Sequence, residues 1–263
     1  MSELLTRAVQ VLDILSRAES DLTIRELAGR VGLPKSTVQR LLHALVDTQM
    51  VVQDVETRRY RLGPRTLALG MAYQRRIDLR AVALPRMTWL RDRSGETVGL
   101  SIGVGEEVMH VDQVESTADL RRTFELGRPY PLWSGAPSRL VLAAMPDEQV
   151  EEIARKRAPG SVVPAHPPEP DELVAAVRQA REDGYAAAFE ETIEGVNTLA
   201  APIWGDGGQL LATISVTGPS VRFDRAAMDA ILPDLLKAAR QVTVEVGGTS
   251  PRLSSHPHDS TTP

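Results

Sequence analysis

Between Lys35 and Arg40 the chain gathers groups suited to contacting nucleic acid. Lys35, Ser36, Thr37, Gln39 and Arg40 bring two cations, two hydroxyls and an amide within six residues. Cations and hydroxyls bond phosphate oxygens, whereas glutamine and arginine can pair in bidentate fashion with base edges. Val38, Leu41, Leu42 and Leu45 interleave with them at helical spacing, so the polar set shares the outer face of one helix. The other candidates for chemistry are weaker. His110 and Asp112 lie two apart on an expected strand, on one face, where they could act as a general-base pair with Ser134 or Ser101 as nucleophile. No Gly-x-Ser-x-Gly elbow accompanies them. Glu190 and Glu191, adjacent on a strand, point to opposite faces and cannot readily share a substrate. The sequence holds no His-Glu-x-x-His, phosphate-loop or dinucleotide fingerprint, and His256 and His258 sit in a polar tail. No catalytic residue, metal or cofactor is expected.

The elements that must position Lys35 to Arg40 are legible on both sides. Thr23-Ile24-Arg25-Glu26 has the form in which a threonine caps a helix and a glutamate three residues on bonds back to it. Ile24, Leu27, Ala28 and Val31 form the apolar stripe of that short helix. Gly32 then supplies a tight turn, and Pro34 fits the first turn of the next helix. This is the order of a helix-turn-helix. Val51-Val52, a polar turn over 53–57, and Arg58-Arg59-Tyr60-Arg61-Leu62 read as a hairpin wing. Tyr60 and Leu62 face inward, and its arginines, Arg58 and Arg59 among them, are available to a phosphate backbone. A first helix from Leu4 to about Ser16, with Leu5, Ala8, Val9, Leu12 and Leu15 inward, completes a winged helix-turn-helix. The same unit could instead serve only as a protein-contact module.

Charge divides unevenly along the 263 residues, whose net charge is -5. Residues 1–64 hold 9 Lys/Arg against 8 Asp/Glu, a net of +1, so the remainder carries -6. A local cationic face must therefore grip DNA, with dimerisation adding affinity. The absence of cysteine excludes thiolate metal sites and disulfides. No apolar run reaches the ~18 residues of a membrane span and no secretory signal opens the chain, so a cytoplasmic protein without membrane contact is expected.

After Pro64 the character changes. Residues 65–80 suggest a linker helix whose apolar groups, Leu67 to Tyr73, suit a second subunit. From Ala81 the pattern alternates: a helix over 82–93, strands at 98–104 and 108–114, a strand at 121–126, an irregular segment over 127–137 and a helix over 138–145. A second helix follows at 147–156, then a proline-rich surface loop at 158–170, a helix capped by Asp171 that ends near Gly184, and strands at 185–191, 197–204 and 210–217. A helix from Arg225 to Val246, kinked at Pro233, ends this unit, and a tail over 247–263 is expected to be disordered. The sum is an α+β chain with an antiparallel-rich sensor-like sheet.

With both halves in view the chain resembles the IclR family of bacterial transcriptional regulators over roughly residues 4–246. Five stretches carry the likeness: Leu33-Pro-Lys-Ser-Thr-Val-Gln-Arg-Leu-Leu, Arg59-Tyr-Arg-Leu-Gly, Glu190-Glu191 with Gly195-Val196, Leu199-Ala-Ala-Pro-Ile, and Ile214-Ser-Val-Thr-Gly-Pro. The resemblance implies a winged helix over 1–64, a linker over 65–80, and a GAF-like domain over 81–246 that binds a small effector, commonly an organic acid or aromatic metabolite. It also implies a homodimer or tetramer on palindromic operator DNA, often of an adjacent catabolic operon. Carried over motif by motif, the effector positions are Gly135, Ala136, Pro137, Thr198, Ser215 and Thr217, with Arg139 nearby for an anionic ligand. Ser138-Arg139 stands where the family usually has Gly-Lys, and Ala188 where it often has an acid. A ligand-responsive transcription factor is the leading reading; a winged-helix interaction module with a sensor domain and a small-molecule hydrolase are the alternatives.

Overall fold

The computed structural model describes residues 3–76, 78–156 and 168–250. The chain divides into two compact units, Met1–Ile77 and Asp78–Pro263. The first contains α1 (Glu3–Ser16), α2 (Ile24–Val31), α3 (Lys35–Asp47), a hairpin of β1 (Val51–Gln53) and β2 (Tyr60–Leu62), and α4 (Pro64–Arg76). The Thr23–Glu26 capping box forms in both directions, and Gly32 ends α2 in the left-handed region at φ 71°. Tyr60 pairs with Leu22 through bonds of 3.0 and 2.7 Å, which ties the wing to the start of the helix-turn-helix. Val11, Leu15, Leu27, Val38, Leu42 and Tyr60 centre the core.

The expected inward stripe of α1 holds at Ala8, Leu12 and Leu15 but not at Leu5 and Val9. Leu5 and Val9 are 67% and 47% exposed, and burial begins at Val11. Leu4, Leu5 and Val9 of α1 thus remain exposed, as do Leu67, Leu69 and Met71 of α4. The side chains of residues 72–78, including Tyr73, lie outside the described residues.

The second unit runs α5 (Asp78–Ser94), β3 (Thr97–Val104), β4 (Glu107–Val114), β5 (Pro129–Pro131), α6 (Ala136–Ala143), α7 (Asp147–Lys156), α8 (Pro170–Asp183), β6 (Ala186–Phe189), β7 (Val196–Trp204), β8 (Leu210–Pro219) and α9 (Arg225–Glu245). The six strands form one antiparallel sheet in the order β5-β4-β3-β8-β7-β6. Helices α5 and α9 pack against one face and α6 against the other, with α8 on α6 and α7 on α8.

Several expectations need correction here. Residues 121–126 form no strand, because side chains take their backbone groups. Gln113 exchanges two bonds with Phe124, and Thr97 Oγ1 donates to the Arg122 carbonyl. The strand lies instead at Pro129–Pro131. Helix α6 starts two residues early, placing Ala136 and Pro137 in its first turn, and α8 is capped by Glu169 in place of Asp171. Helix α9 keeps Pro233 inside it, over the span expected. Gly248 and Thr249, expected in the disordered tail, are bonded to Thr243 and Gly205. Residues 251–263, His256 and His258 included, lie outside the described residues, as does the stretch 157–167.

The two sheet faces differ in chemistry. Strand alternation and register turn Val98, Leu100, Leu199, Ile203, Ile214 and Val216 toward α5 and α9. The opposite face carries Gly99, Ser101, Thr198, Ala200, Thr213, Ser215 and Thr217, and Gly103 and Ala200 meet α6 there. A buried face rich in hydroxyls is unusual, since each hydroxyl needs a partner.

Candidate functional site

In the first unit α3 presents Lys35, Ser36, Gln39 and Arg40 exposed, with Thr37 half-buried beside them, and Val38, Leu41, Leu42 and Leu45 inward. Pro34 is the N-cap, one position ahead of the first turn, and no side chain caps the helix start. Uncapped N–H groups beside Lys35 suit a phosphate oxygen. At the wing tip the Asp54 carboxylate accepts from the N–H groups of Glu56 and Thr57 and from the Thr57 hydroxyl. Those bonds, the Thr57 N–H foremost, hold its pKa below the usual carboxylate range.

The hairpin treats its arginines differently. Arg58 stands exposed at the turn with φ 58°. Arg59 turns back, donating to the Asp21 carbonyl at 2.7 Å and approaching Glu26 at 3.6 Å, and Arg61 pairs with the Asp21 carboxylate at 2.9 Å. Arg58 is therefore the wing cation directed to solvent, and Arg59 clamps the wing to α2.

In the second unit a small concavity of about 40 Å³ lies over the hydroxyl-bearing face. Gly135, Pro137, Thr198 and Thr217 line it, joined by Ser134, Ser138, Ala188, Arg122, Phe124, Tyr130 and His110, none of which was among the expected effector positions. Thr198 and Thr217 are register partners on β7 and β8, with their hydroxyls 3.1 Å apart. Gly135 holds φ 85°, and a Cβ there would lie 2.7 Å from Thr192 Oγ1, so only glycine lets α6 begin against that loop. The α6 start has no side-chain cap and borders the concavity.

Three expected residues stand apart from it. Ala136 is fully buried in α6, and Ser215 is fully buried on β8, with its hydroxyl and the Phe124 ring edge both close to Gly99. Arg139 donates to the Ala187 carbonyl at 2.5 Å and to Glu191 at 2.6 Å, which ties α6 to β6 and to the loop at 190–195. The half-buried cation on the concavity is Arg122, from the segment mistaken for a strand.

The His110–Asp112 pair expected on one face is divided. The β3–β4 register slips between Leu100 and Ser101. One residue is thereby added on β4, which inverts the alternation. His110 joins Ser101, its Nδ1 2.8 Å from the serine oxygen, whereas Asp112 faces α5 and bonds Arg80 at 2.7 Å. Burial, assisted by the Arg122 charge, lowers the His110 pKa from 6.5 to about 3. An imidazole held neutral by burial and without a carboxylate orienter is a poor general base. The pair is structural, with a consequence for stability. The unfolded chain takes up a proton at this ring below pH 6.5 and the folded protein does not until about pH 3. Stability should therefore fall as pH drops through that window. Urea titrations across that range should show a steeper loss for wild type than for His110→Gln; parallel curves would refute the assignment.

The model of the IclR helix-turn-helix domain matches residues 4–55, and that of the bacterial transcriptional regulator IclR C-terminal domain matches residues 71–244. The chain belongs to the IclR family. Among its relatives, the HTH-type transcriptional regulator BhcR of Paracoccus denitrificans is 31% identical over 248 residues, covering 94% of this chain and 88% of that one. The transcriptional repressor IclR of Escherichia coli is 28% identical, over 93% and 90% respectively. An IclR-family regulator from Brucella abortus has the same fold with a TM-score of 0.80 at 27% identity, covering 94% and 93%. An IclR homolog from Microbacterium hydrocarbonoxydans, complexed with 4-hydroxybenzoate, superimposes with a TM-score of 0.73 at 24% identity, over 93% and 99%. As an IclR-family member the protein is a DNA-binding transcriptional regulator and not an enzyme. Among the described residues no helix is long and apolar enough to cross a membrane.

Proposed function

We propose that this IclR-family protein is a ligand-responsive regulator. Its winged helix, residues 1–64, binds a palindromic operator, and its second unit, over residues 81–246, senses a small anionic metabolite. The observation that carries the sensing half is the concavity whose floor bears the Thr198 and Thr217 hydroxyls and whose wall includes the uncapped α6 start and Arg122. Hydroxyls and backbone N–H groups orient a carboxylate, and a cation at the side offsets its charge. The Microbacterium homolog is complexed with 4-hydroxybenzoate, an aromatic carboxylate.

Lys35, Ser36, Thr37, Gln39, Arg40 and Arg58 are the proposed DNA contacts, with Arg59 acting through the wing it holds in place. A homodimer, or a tetramer built from two, supplies the grip that a unit of net charge +1 lacks, and the bare apolar residues of α1 and α4 suit a second copy. The regulated genes would be an adjacent operon, of catabolic type.

The test is binding to the intergenic DNA beside its own gene, measured with and without the substrates of the adjacent operon. Salt-sensitive binding of a dimer or larger species that one substrate shifts is the expected result. A protein that is monomeric at micromolar concentration by light scattering, or whose operator affinity no substrate of that operon changes, would contradict the proposal.

A further inference from the structure

Phe124 occupies a ring-shaped space that its own chemistry does not satisfy. It lies on the segment between β4 and β5, which has no regular secondary structure, and its ring stacks on His110 with centroids 3.9 Å apart and planes 24° from parallel. The Arg122 guanidinium lies 5.2 Å from the ring centroid. The ring enters this far because residue 99 is glycine: a Cβ there would be 2.8 Å from Phe124 Cε2. The same point is 3.2 Å from Ser215 Oγ. Ser215 is fully buried, and its hydroxyl has no hydrogen-bond partner; nor has that of Thr213, two residues earlier on the same face. A phenyl edge offers a hydroxyl nothing to bond, so the arrangement leaves desolvated polar groups unpaid.

We infer that the Phe124 ring is a displaceable plug, filling a subsite for a planar, ring-sized ligand fragment whose edge bears a hydroxyl or carbonyl for Ser215. This rests on the reading of the concavity as the effector site and extends it inward. The ring can leave by side-chain rotation, because its backbone is held independently. Phe124 N–H donates to Gln113 Oε1 at 2.7 Å, and Gln113 Nε2 donates to the Phe124 carbonyl at 3.1 Å. An incoming aromatic ring would inherit the His110 stacking, and its polar edge would give the orphaned hydroxyl the partner that phenylalanine denies it. The anionic group of such a ligand stays outward, toward Arg122 and the α6 start. The subsite thus selects an aromatic body with a polar edge over a purely aliphatic acid.

The experiment empties the space and refills it with simple probes. In the full chain, Phe124→Ala should bind phenol about tenfold or more tightly than wild type, and about tenfold more tightly than toluene, by calorimetry. Adding Ser215→Ala should bring phenol and toluene to parity. Phe124→Leu, which keeps more of the volume, should show the same phenol preference in weaker form and stands in if the alanine variant does not fold. Equal binding of the two probes, or binding of neither to a folded variant, overturns the subsite. Displacement is read in wild type labelled with 4-fluorophenylalanine, since the chain has 3 phenylalanines and the Phe124 resonance is the one missing from the variant. That resonance should shift as phenol is added, and a fixed resonance while phenol occupies the site overturns the plug. Operator affinity measured in the same samples separates the two readings. Phenol that fills the subsite yet leaves DNA binding unchanged upholds the plug and counts against the effector site.

Discussion

Replacing Gln39 and Arg40 together by alanine is expected to cost the operator complex roughly 2–6 kcal/mol, since one bidentate contact to a base is worth about 1–3 kcal/mol. Both side chains are exposed on α3, and the buried face behind them, Val38, Leu41, Leu42 and Leu45, is untouched by the change. The variant should melt as wild type does. Its loss should fall on the specific complex, so the ratio of operator to scrambled-duplex affinity collapses. Lys35→Ala, beside the uncapped helix start, should instead weaken both duplexes alike and reduce the salt slope by about one phosphate contact. Gel-shift or anisotropy titrations at two salt concentrations distinguish these patterns. Unchanged specificity in the double variant would remove α3 from the groove.

Thr198→Phe is expected to leave operator affinity intact and to abolish its response to ligand. Thr198 is half-buried on β7 and its hydroxyl accepts from Thr217, so a phenyl ring there would project into the concavity and fill it. An effector shifts operator affinity only through its differential binding to two states, with coupling of about 1–3 kcal/mol in typical cases, or roughly 5- to 150-fold. Blocking the site removes that whole factor. Operator titrations of wild type and variant, with and without each candidate metabolite, give the answer. A folded variant that still responds fully would place the effector elsewhere.

The first unit was legible because its signals are local. A capping box spans four residues, Gly32 answers a left-handed turn within one, and the stripe of α3 repeats every three or four. Even there the reading slipped where partners are distant. Leu5 and Val9 follow the helical period as well as Leu15 does, but only the later half of α1 has neighbours to bury it. The concavity was legible in part. Alternation along β8 sets Ser215 and Thr217 on one face, and pairing with β7 brings Thr198 to Thr217. Arg122, Phe124 and Tyr130 gave no comparable signal, because their segment follows no period.

Residue spacing by itself determined that this chain has a winged helix-turn-helix with a polar outer face on its third helix, and that a sheet with hydroxyls on one side follows it. Tertiary structure decided which of those groups are free to act. Arg58 is released while Arg59 is held by Asp21 and Glu26, and Arg139 is drawn to Glu191. His110 is parted from Asp112 by a single extra residue, and Ser215 is fully buried with no partner for its hydroxyl. The division has a physical reason. Helical and strand periods are set by neighbours a few residues apart, whereas these ion pairs, the register slip and the ring stacking join groups 9 to 52 positions apart, which no local pattern encodes.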